Sequence, residues 1–199
     1  YLEYTSLTDL AASRFVTNEE FWNIHIFRGK PVFQSFRGLF IFEDGDFRVI
    51  RSEGFISGLA TIGDELYVLI NSQGVYRLDD VGLEPFLIDD FFQDKYLVSL
   101  FPWNDEQFMI VTSGNGVFVY DGNRFLNAFP DEEKYFRENS INRAHLMDSS
   151  RIILGTILDG ISLIEGGKIT LNVNQQNGLL NNTVLGISGR KNQIWLALD

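Results

Sequence analysis

The chain has no cysteine and only 4 prolines among its 199 residues. The lack of cysteine excludes disulfide bonds, cysteine-based zinc sites and a thiol nucleophile. It leaves the cellular compartment open, because a domain of this size does not need disulfides in order to fold. Few prolines together with 45% hydrophobic residues exclude a disordered segment. We therefore expect a folded globular body with one sizeable core.

Long apolar runs and positive charge are also lacking. No run approaches the roughly 20 residues of a membrane-spanning helix, and the first residues lack the basic and apolar parts of a signal peptide. Because the sequence begins with Tyr1 rather than methionine, we expect it to be a piece of a larger protein. The net charge of -11 produces a negative electrostatic potential, which repels a phosphate backbone. We therefore expect no nucleic acid partner for this segment.

Motifs that would indicate catalysis, a metal or a cofactor are missing as well. The sequence has no Gly-x-Ser-x-Gly, no Walker-type phosphate loop and no His-Glu-x-x-His. His25 and His145 lie in apolar stretches far apart in the chain, which favours packed histidines over metal ligands. Acidic runs at 89–94 and 131–133 lack the ligand spacing of a calcium loop. We predict no catalytic residue, no metal site and no cofactor.

What the sequence does have is aromatic residues in a strand-and-turn pattern. Its 18 Phe, 7 Tyr and 3 Trp favour half-buried pleated sheets. From Phe21 onward, apolar stretches of about five residues alternate with turn signals such as those at 28–30 and 43–45. The pattern predicts antiparallel meanders. The irregular start allows only a short helix through residues 9–13, and a further turn is predicted at 104–106.

The meander repeats along the chain. Glycines at 38, 74, 116 and 160 each open the third strand of a copy, at spacings of 36, 42 and 44 residues. Glycine is expected there because the backbone takes a positive φ or passes close to a neighbour. A repeat of roughly 40 to 45 residues with four short strands is typical of a β-propeller blade.

The predicted fold class is therefore all-β, a β-propeller fragment of about four and a half four-stranded antiparallel blades. We predict one incomplete ring over residues 1–199, with the last blade only partial. Its blades are placed at 21–50, 55–88, 96–129, 141–173 and 184–199. The last strand would then have an unpaired edge, which is an association site unless further blades follow.

Candidate binding residues come from the polar connections between blades, because a rigid scaffold holds such loops on one surface. Their amide and guanidinium groups suit sugar hydroxyls or carboxylates. Alternatively, Asn181 or Asn182 bonds only the backbone of its own turn. Trp195 is expected in the core and Trp103 at the rim. The candidate ligand-binding residues are Asn142, Arg143, Asn181, Asn182 and Thr183.

The last repeat carries a family resemblance. The segment Asn177-Gly178-Leu179-Leu180-Asn181-Asn182-Thr183-Val184, followed by Ile187, a polar turn and Ile194-Trp195-Leu196, resembles the two-component regulator propeller repeat. Residues 21–45 resemble blades of the sensor regions of Bacteroidetes regulators that carry a triple-tyrosine domain. The likeness covers most of 21–199, although the middle copies lack the tryptophan and the Gly-Leu-x-x-Asn lead-in.

The resemblance implies a function. It implies a non-catalytic, periplasmic sensor propeller of a regulator anchored in the inner membrane, answering to an oligosaccharide or a partner. It also implies further blades, a triple-tyrosine domain, a homodimer in the full-length protein, and a histidine kinase or helix-turn-helix output. Two alternatives stay open from the residues: a glycan-active enzyme built on a propeller, and an intracellular protein-binding scaffold.

Overall fold

A computed structural model describes residues 19–103, 107–190 and 193–199. Within these residues the chain forms eighteen β-strands, one short α-helix and two 3-10 helices. The helix predicted at 9–13 and the turn predicted at 104–106 lie outside the described residues. No helix in the described part is both long and apolar enough to cross a membrane.

The strands form five antiparallel sheets, each in chain order. The first is β1 (Asn23–Phe27), β2 (Lys30–Gln34), β3 (Gly38–Glu43) and β4 (Asp46–Arg51), and the second is β5 (Ile56–Ile62), β6 (Glu65–Ile70), β7 (Gly74–Leu78) and β8 (Leu83–Leu87). The third is β9 (Leu97–Pro102), β10 (Phe108–Thr112), β11 (Val117–Tyr120) and β12 (Phe125–Asn127). The fourth is β13 (Ile141–Asp148), β14 (Arg151–Thr156), β15 (Ile161–Glu165) and β16 (Lys168–Val173), and the fifth pairs β17 (Val184–Arg190) with β18 (Gln193–Leu198). We call these sheets blades 1 to 5.

The chain divides into two compact units, one ending at Ile88 and one beginning at Asp89. The first unit holds blades 1 and 2, whose facing sheets enclose an apolar core. Val32, Leu39, Leu66 and Val68 are fully buried in it. Each contributes about 1.5–3 kcal/mol through removal of apolar surface from water. The residues of this core recur at every second position, with Leu39 and Ile41 on β3 and Leu66, Val68 and Ile70 on β6, so they share one face of each strand.

The second unit holds blades 3 and 4 and the two-stranded blade 5. Its core contains Met109, Val111, Ile141 and Leu154, and it is extended by the connections between blades. The connection before blade 3 forms a 3-10 helix at Asp90–Phe92, which buries Phe92. The connection before blade 4 forms a 3-10 helix at Pro130–Glu132 followed by an α-helix at Glu133–Glu138, and the α-helix buries Phe136. These connections were predicted as polar loops, and each also buries an aromatic side chain; Phe136 belongs to the core of this unit, and Phe92 packs against Phe91 and Phe125.

A hydroxyl side chain closes the turn between the second and third strands in blades 3 and 4. Thr112 Oγ1 donates to the Gly116 carbonyl at 2.7 Å, and Thr156 Oγ1 donates to the Gly160 carbonyl at 3.1 Å. Both threonines are fully buried. The glycines have φ values of +111° and +68°, which L side chains rarely adopt. The Thr-x-x-x-Gly spacing is the structural basis of the repeated glycine in this unit.

The expectation that Trp195 lies in the core is wrong, because 67% of this residue is exposed. Exposure alternates along β18, with Ile194, Leu196 and Leu198 half-buried and Trp195 between them exposed. Its partner across the sheet is Ser188, which is also exposed. Trp103, expected at the rim, is partly buried and packs against the core of the second unit.

Two glycine substitutions separate the effect of positive φ from that of close packing. A Cβ at Gly160 would lie 2.2 Å from the Val173 carbonyl oxygen, whereas a Cβ at Gly166, with a similar φ, would meet nothing within 4 Å. We expect Gly166→Ala to lower the free energy of unfolding by about 1 kcal/mol. Gly160→Ala should cost roughly 3 kcal/mol or more, because the backbone must move. Urea unfolding followed by tryptophan fluorescence measures both, and equal losses would contradict the close approach at Gly160.

Candidate functional site

The predicted binding residues lie together in the second unit, where the connection into blade 5 meets the start of β13. Asn142 Nδ2 donates to the Val184 carbonyl at 2.7 Å, and Arg143 Nε donates to the Leu185 carbonyl at 2.7 Å. These two bonds join the inner strand of blade 4 to the inner strand of blade 5. The structure therefore places Asn142 and Arg143 beside the residues that follow Thr183.

Arg143 is the one charged group of this set. Its Nη1 donates to the Asn142 carbonyl at 2.7 Å, so the guanidinium is held in one orientation while the residue remains exposed. Desolvation by its neighbours lowers the pKa of Arg143, and nearby Tyr96 opposes this shift. A carboxylate or a ring of hydroxyls at this position would compensate the partial desolvation with charge-assisted hydrogen bonds.

The other three predicted residues use their side-chain oxygens to shape the connection. Asn181 Oδ1 accepts from the Thr183 backbone N–H at 2.9 Å, and Asn182 Oδ1 accepts from the Gln175 N–H at 2.8 Å. Thr183 Oγ1 donates to the Ile157 carbonyl at 2.9 Å. The alternative interpretation, in which Asn181 or Asn182 bonds its own backbone, describes these contacts. Their NH₂ groups are what the two amides could offer to a ligand.

A network centred on Asp159 fixes this connection, and the sequence interpretation missed it. Asp159 Oδ2 accepts from Asn172 Nδ2 at 2.9 Å, and Asp159 Oδ1 accepts from Asn174 Nδ2 at 2.9 Å. Asn172 Nδ2 also lies 3.0 Å from Ser162 Oγ, which lies 2.7 Å from the Tyr135 hydroxyl. The only signal in the sequence is the density of asparagine at 172–182, which shows neither the partner nor the geometry.

Apolar side chains surround the polar ones on the same surface. Ile157 is 42% exposed, Leu180 is 91% exposed and Leu185 is 44% exposed. The Ile157 carbonyl accepts the hydrogen bond from Thr183, and the Leu185 carbonyl accepts the one from Arg143. Such a surface combines hydrogen-bond donors with aliphatic contact area. We call the surface formed by these three residues and the five predicted ones the connection surface.

The histidines and the acidic runs have local structural partners. His25 Nε2 lies 2.6 Å from Thr61 Oγ1 in the first unit. In the second unit, His145 lies against Gly189, where a Cβ would be 2.2 Å from its Nε2. Burial lowers the pKa of both histidines. Asp89 Oδ1 accepts from the Phe91 N–H at 2.7 Å and caps the 3-10 helix. Among the described residues no group of three or more metal-binding side chains occurs.

No protein-family model and no curated protein sequence matches the chain. Solved structures do match. One is the extracellular domain of the hybrid two-component system BT3049 from B. thetaiotaomicron, with a TM-score of 0.64 and 16% identity over 92% of this chain and 26% of that one. A second is the extracellular domain of the hybrid two-component system BT4673 from B. thetaiotaomicron, with a TM-score of 0.63 and 16% identity over 87% of this chain and 25% of that one.

A third match is YCF48 from Cyanidioschyzon merolae, with a TM-score of 0.58 and 12% identity over 77% of this chain and 52% of that one. The chain thus spans about half of YCF48 and about a quarter of each extracellular domain. At these identities the matches show the fold. They confirm the predicted all-β propeller fragment, and the two extracellular domains agree with the resemblance to the two-component regulator propeller repeat.

Asp159→Asn tests whether the Asp159 network holds the connection. The change places an NH₂ group against either Asn172 or Asn174, which both donate to Asp159, so one hydrogen bond is replaced by two facing donors. We expect a loss of about 1–3 kcal/mol in the free energy of unfolding. Asp131→Asn, on the exposed connection before blade 4, is the control and should change it by less than about 0.5 kcal/mol. Similar values for both variants in thermal unfolding would contradict a structural role for Asp159.

The two histidines predict a pH dependence of stability. Their pKa values in the folded chain lie below the ordinary 6.5, so below that pH the unfolded chain takes up protons that the folded chain does not. The stability that neutral histidines contribute is therefore present above pH 6.5 and is lost as the pH falls towards the depressed values. We expect the double variant His25→Gln, His145→Gln to show a flatter fall in melting temperature between about pH 7 and pH 5. An unchanged slope would contradict the assignment.

Proposed function

We propose that this chain is a non-catalytic sensor propeller from the extracytoplasmic part of a membrane-anchored two-component or transcriptional regulator. In this proposal the connection surface binds an oligosaccharide or a partner, and binding shifts the population of a signalling state. The observation that carries the proposal is the shared fold with two extracellular domains of two-component systems, over 92% and 87% of this chain. The Gly-Leu-x-x-Asn-x-Val pattern before blade 5 supports the same conclusion.

The contacts at the connection surface favour binding over catalysis. Arg143 offers a held, partly desolvated guanidinium, and Asn142 is fixed beside it by its bond to Val184. Exposed Ile157, Leu180 and Leu185 supply aliphatic area next to these donors. Hydroxyls or a uronate carboxylate of a sugar can accept from the donors, while its C–H faces lie on the aliphatic side chains.

We propose further that this chain is part of a longer protein. Further blades and a triple-tyrosine domain would follow in the same polypeptide, and the full-length regulator would act as a homodimer anchored in the inner membrane with its propeller in the periplasm. Ligand binding to the propeller can alter the output only if it favours one arrangement of such a dimer over another.

Calorimetry on the purified chain tests the proposal with two probe sets, neutral xylo-oligosaccharides and uronate-containing oligogalacturonides. We expect saturable binding of one set with no new reducing ends formed. We expect Arg143→Ala to weaken that binding at least tenfold, a change equivalent to about 1.4 kcal/mol, because a charge-assisted hydrogen bond is lost.

Arg137→Ala is the matched control, since Arg137 is an exposed arginine on the α-helix of the same unit. It removes the same charge and should leave affinity unchanged. Equal weakening by both variants would indicate only long-range electrostatics, and unchanged binding in Arg143→Ala would remove the connection surface from the proposal. Turnover of either probe would favour the glycan-active enzyme instead.

A further inference from the structure

A cavity of about 310 Å³ opens between blades 3 and 4 of the second unit. Its floor is apolar and contains Met109, Phe129 and Ile152, which are almost completely buried. Trp103 forms one side, and the hairpin turns at 149–150 and 166–167 form the mouth. The cavity lies at the end of β13, whereas the connection surface lies at its beginning, so the two features occupy opposite ends of the same strand.

The first unit also has a cavity between blades 1 and 2, which is smaller and has charged side chains in its lining. There the cavity has about 150 Å³ and is lined by Arg48, Glu43 and Lys30. Arg48 Nη1 donates to the Asp80 carbonyl at 2.7 Å, so its guanidinium reaches across from one blade to the next.

The two cavities therefore differ in character. The one in the first unit is lined by charged side chains, whereas the one in the second unit has Trp103, Met109 and Phe129 in its lining.

The chemistry of the lining selects a neutral, apolar occupant. The charged residue at the mouth, Arg151, is already neutralised, because its Nε and Nη2 lie 2.8 and 2.6 Å from Asp148 Oδ2. Ser150 Oγ donates to Asp148 Oδ1 at 2.9 Å. Apart from Ser149 and the two glycines, the remaining lining residues are apolar, and an aromatic ring packs well against them: Trp103, Met109, Ala128, Phe129, Leu146 and Ile152.

The size of the cavity limits the occupant to a small molecule. An apolar protein cavity of about 150 Å³ holds one benzene ring, and small-molecule sites begin at about 300 Å³ and are mostly apolar with few polar groups. We infer that the cavity between blades 3 and 4 is a binding site for a neutral aromatic small molecule of one or two fused rings. This site is separate from the connection surface and does not rest on the proposed function.

Titration calorimetry with indole on the purified chain tests the inference, with Ala128→Leu and Trp103→Ala as variants. Ala128 lines the cavity, so the larger side chain fills space that the probe needs. Trp103→Ala removes the ring against which the probe packs. We expect 1:1 saturable binding to the natural chain and at least tenfold weaker binding to each variant. We also expect the melting temperature of Ala128→Leu to be equal or higher, because it fills a void.

Trp195→Ala is the control, because this tryptophan is exposed on blade 5 and away from the lining residues. It should bind indole as the natural chain does, and weakening equal to that of Trp103→Ala would overturn the inference. The absence of saturable heat up to the solubility limit of indole would overturn it too, as would an unchanged affinity in Ala128→Leu. If Ala128→Leu does not fold, the indole affinities of Trp103→Ala and Trp195→Ala are compared instead. Weaker binding to Trp103→Ala alone supports the inference, and equal binding to both variants overturns it.

Discussion

The backbone hydrogen bond between the start of one blade and the preceding blade is the contact on which the rest of the structure depends. Ile56 N–H donates to the Phe36 carbonyl and Ile141 N–H donates to the Ser113 carbonyl, both at 2.8 Å. Between blades 4 and 5 the direction reverses, and Gly160 N–H donates to the Asn182 carbonyl at 2.9 Å. Because buried N–H groups require a partner, each of these bonds fixes where the next inner strand begins.

This constraint explains why the turns between second and third strands are so specific. A turn that must present one carbonyl or one N–H to the next blade cannot vary in conformation. In blades 3 and 4 a buried threonine holds it from within, and a glycine with positive φ allows the third strand to leave without a steric clash. The repeated glycine thus serves the joint between blades as well as the blade itself.

The constraint also shapes the connection surface. Most polar atoms along 172–183 bind other parts of the connection, since a segment that must deliver its Asn182 carbonyl to Gly160 needs an internal scaffold. Asp159, Asn172 and Asn174 form that scaffold. Arg143 and Asn142 bridge to blade 5 while the guanidinium stays exposed, which leaves Arg143 as the group best placed to meet a ligand.

The sequence predicted the features that follow from periodicity. The strands, their order and the glycine positions come from alternation and turn chemistry, which act over a few residues. Trp195 was placed wrongly, because alternation along β18 alone does not show which face meets blade 4. The Asp159 network and the cavity beside Trp103 join residues from different strands or blades. Neither leaves a local pattern, so only the three-dimensional contacts reveal them.

Hydrogen–deuterium exchange on the chain, with and without the oligosaccharide that gives the largest binding heat, tests most directly whether the connection surface is the sensing site. Exchange reports the local opening of backbone amides, and a bound ligand slows it where its contacts rigidify the chain. We expect slower exchange at 141–143 and 172–185, with exchange in the first unit unchanged. Protection confined to other segments, or no protection at saturating oligosaccharide, would contradict the proposal that the connection surface is the sensing site.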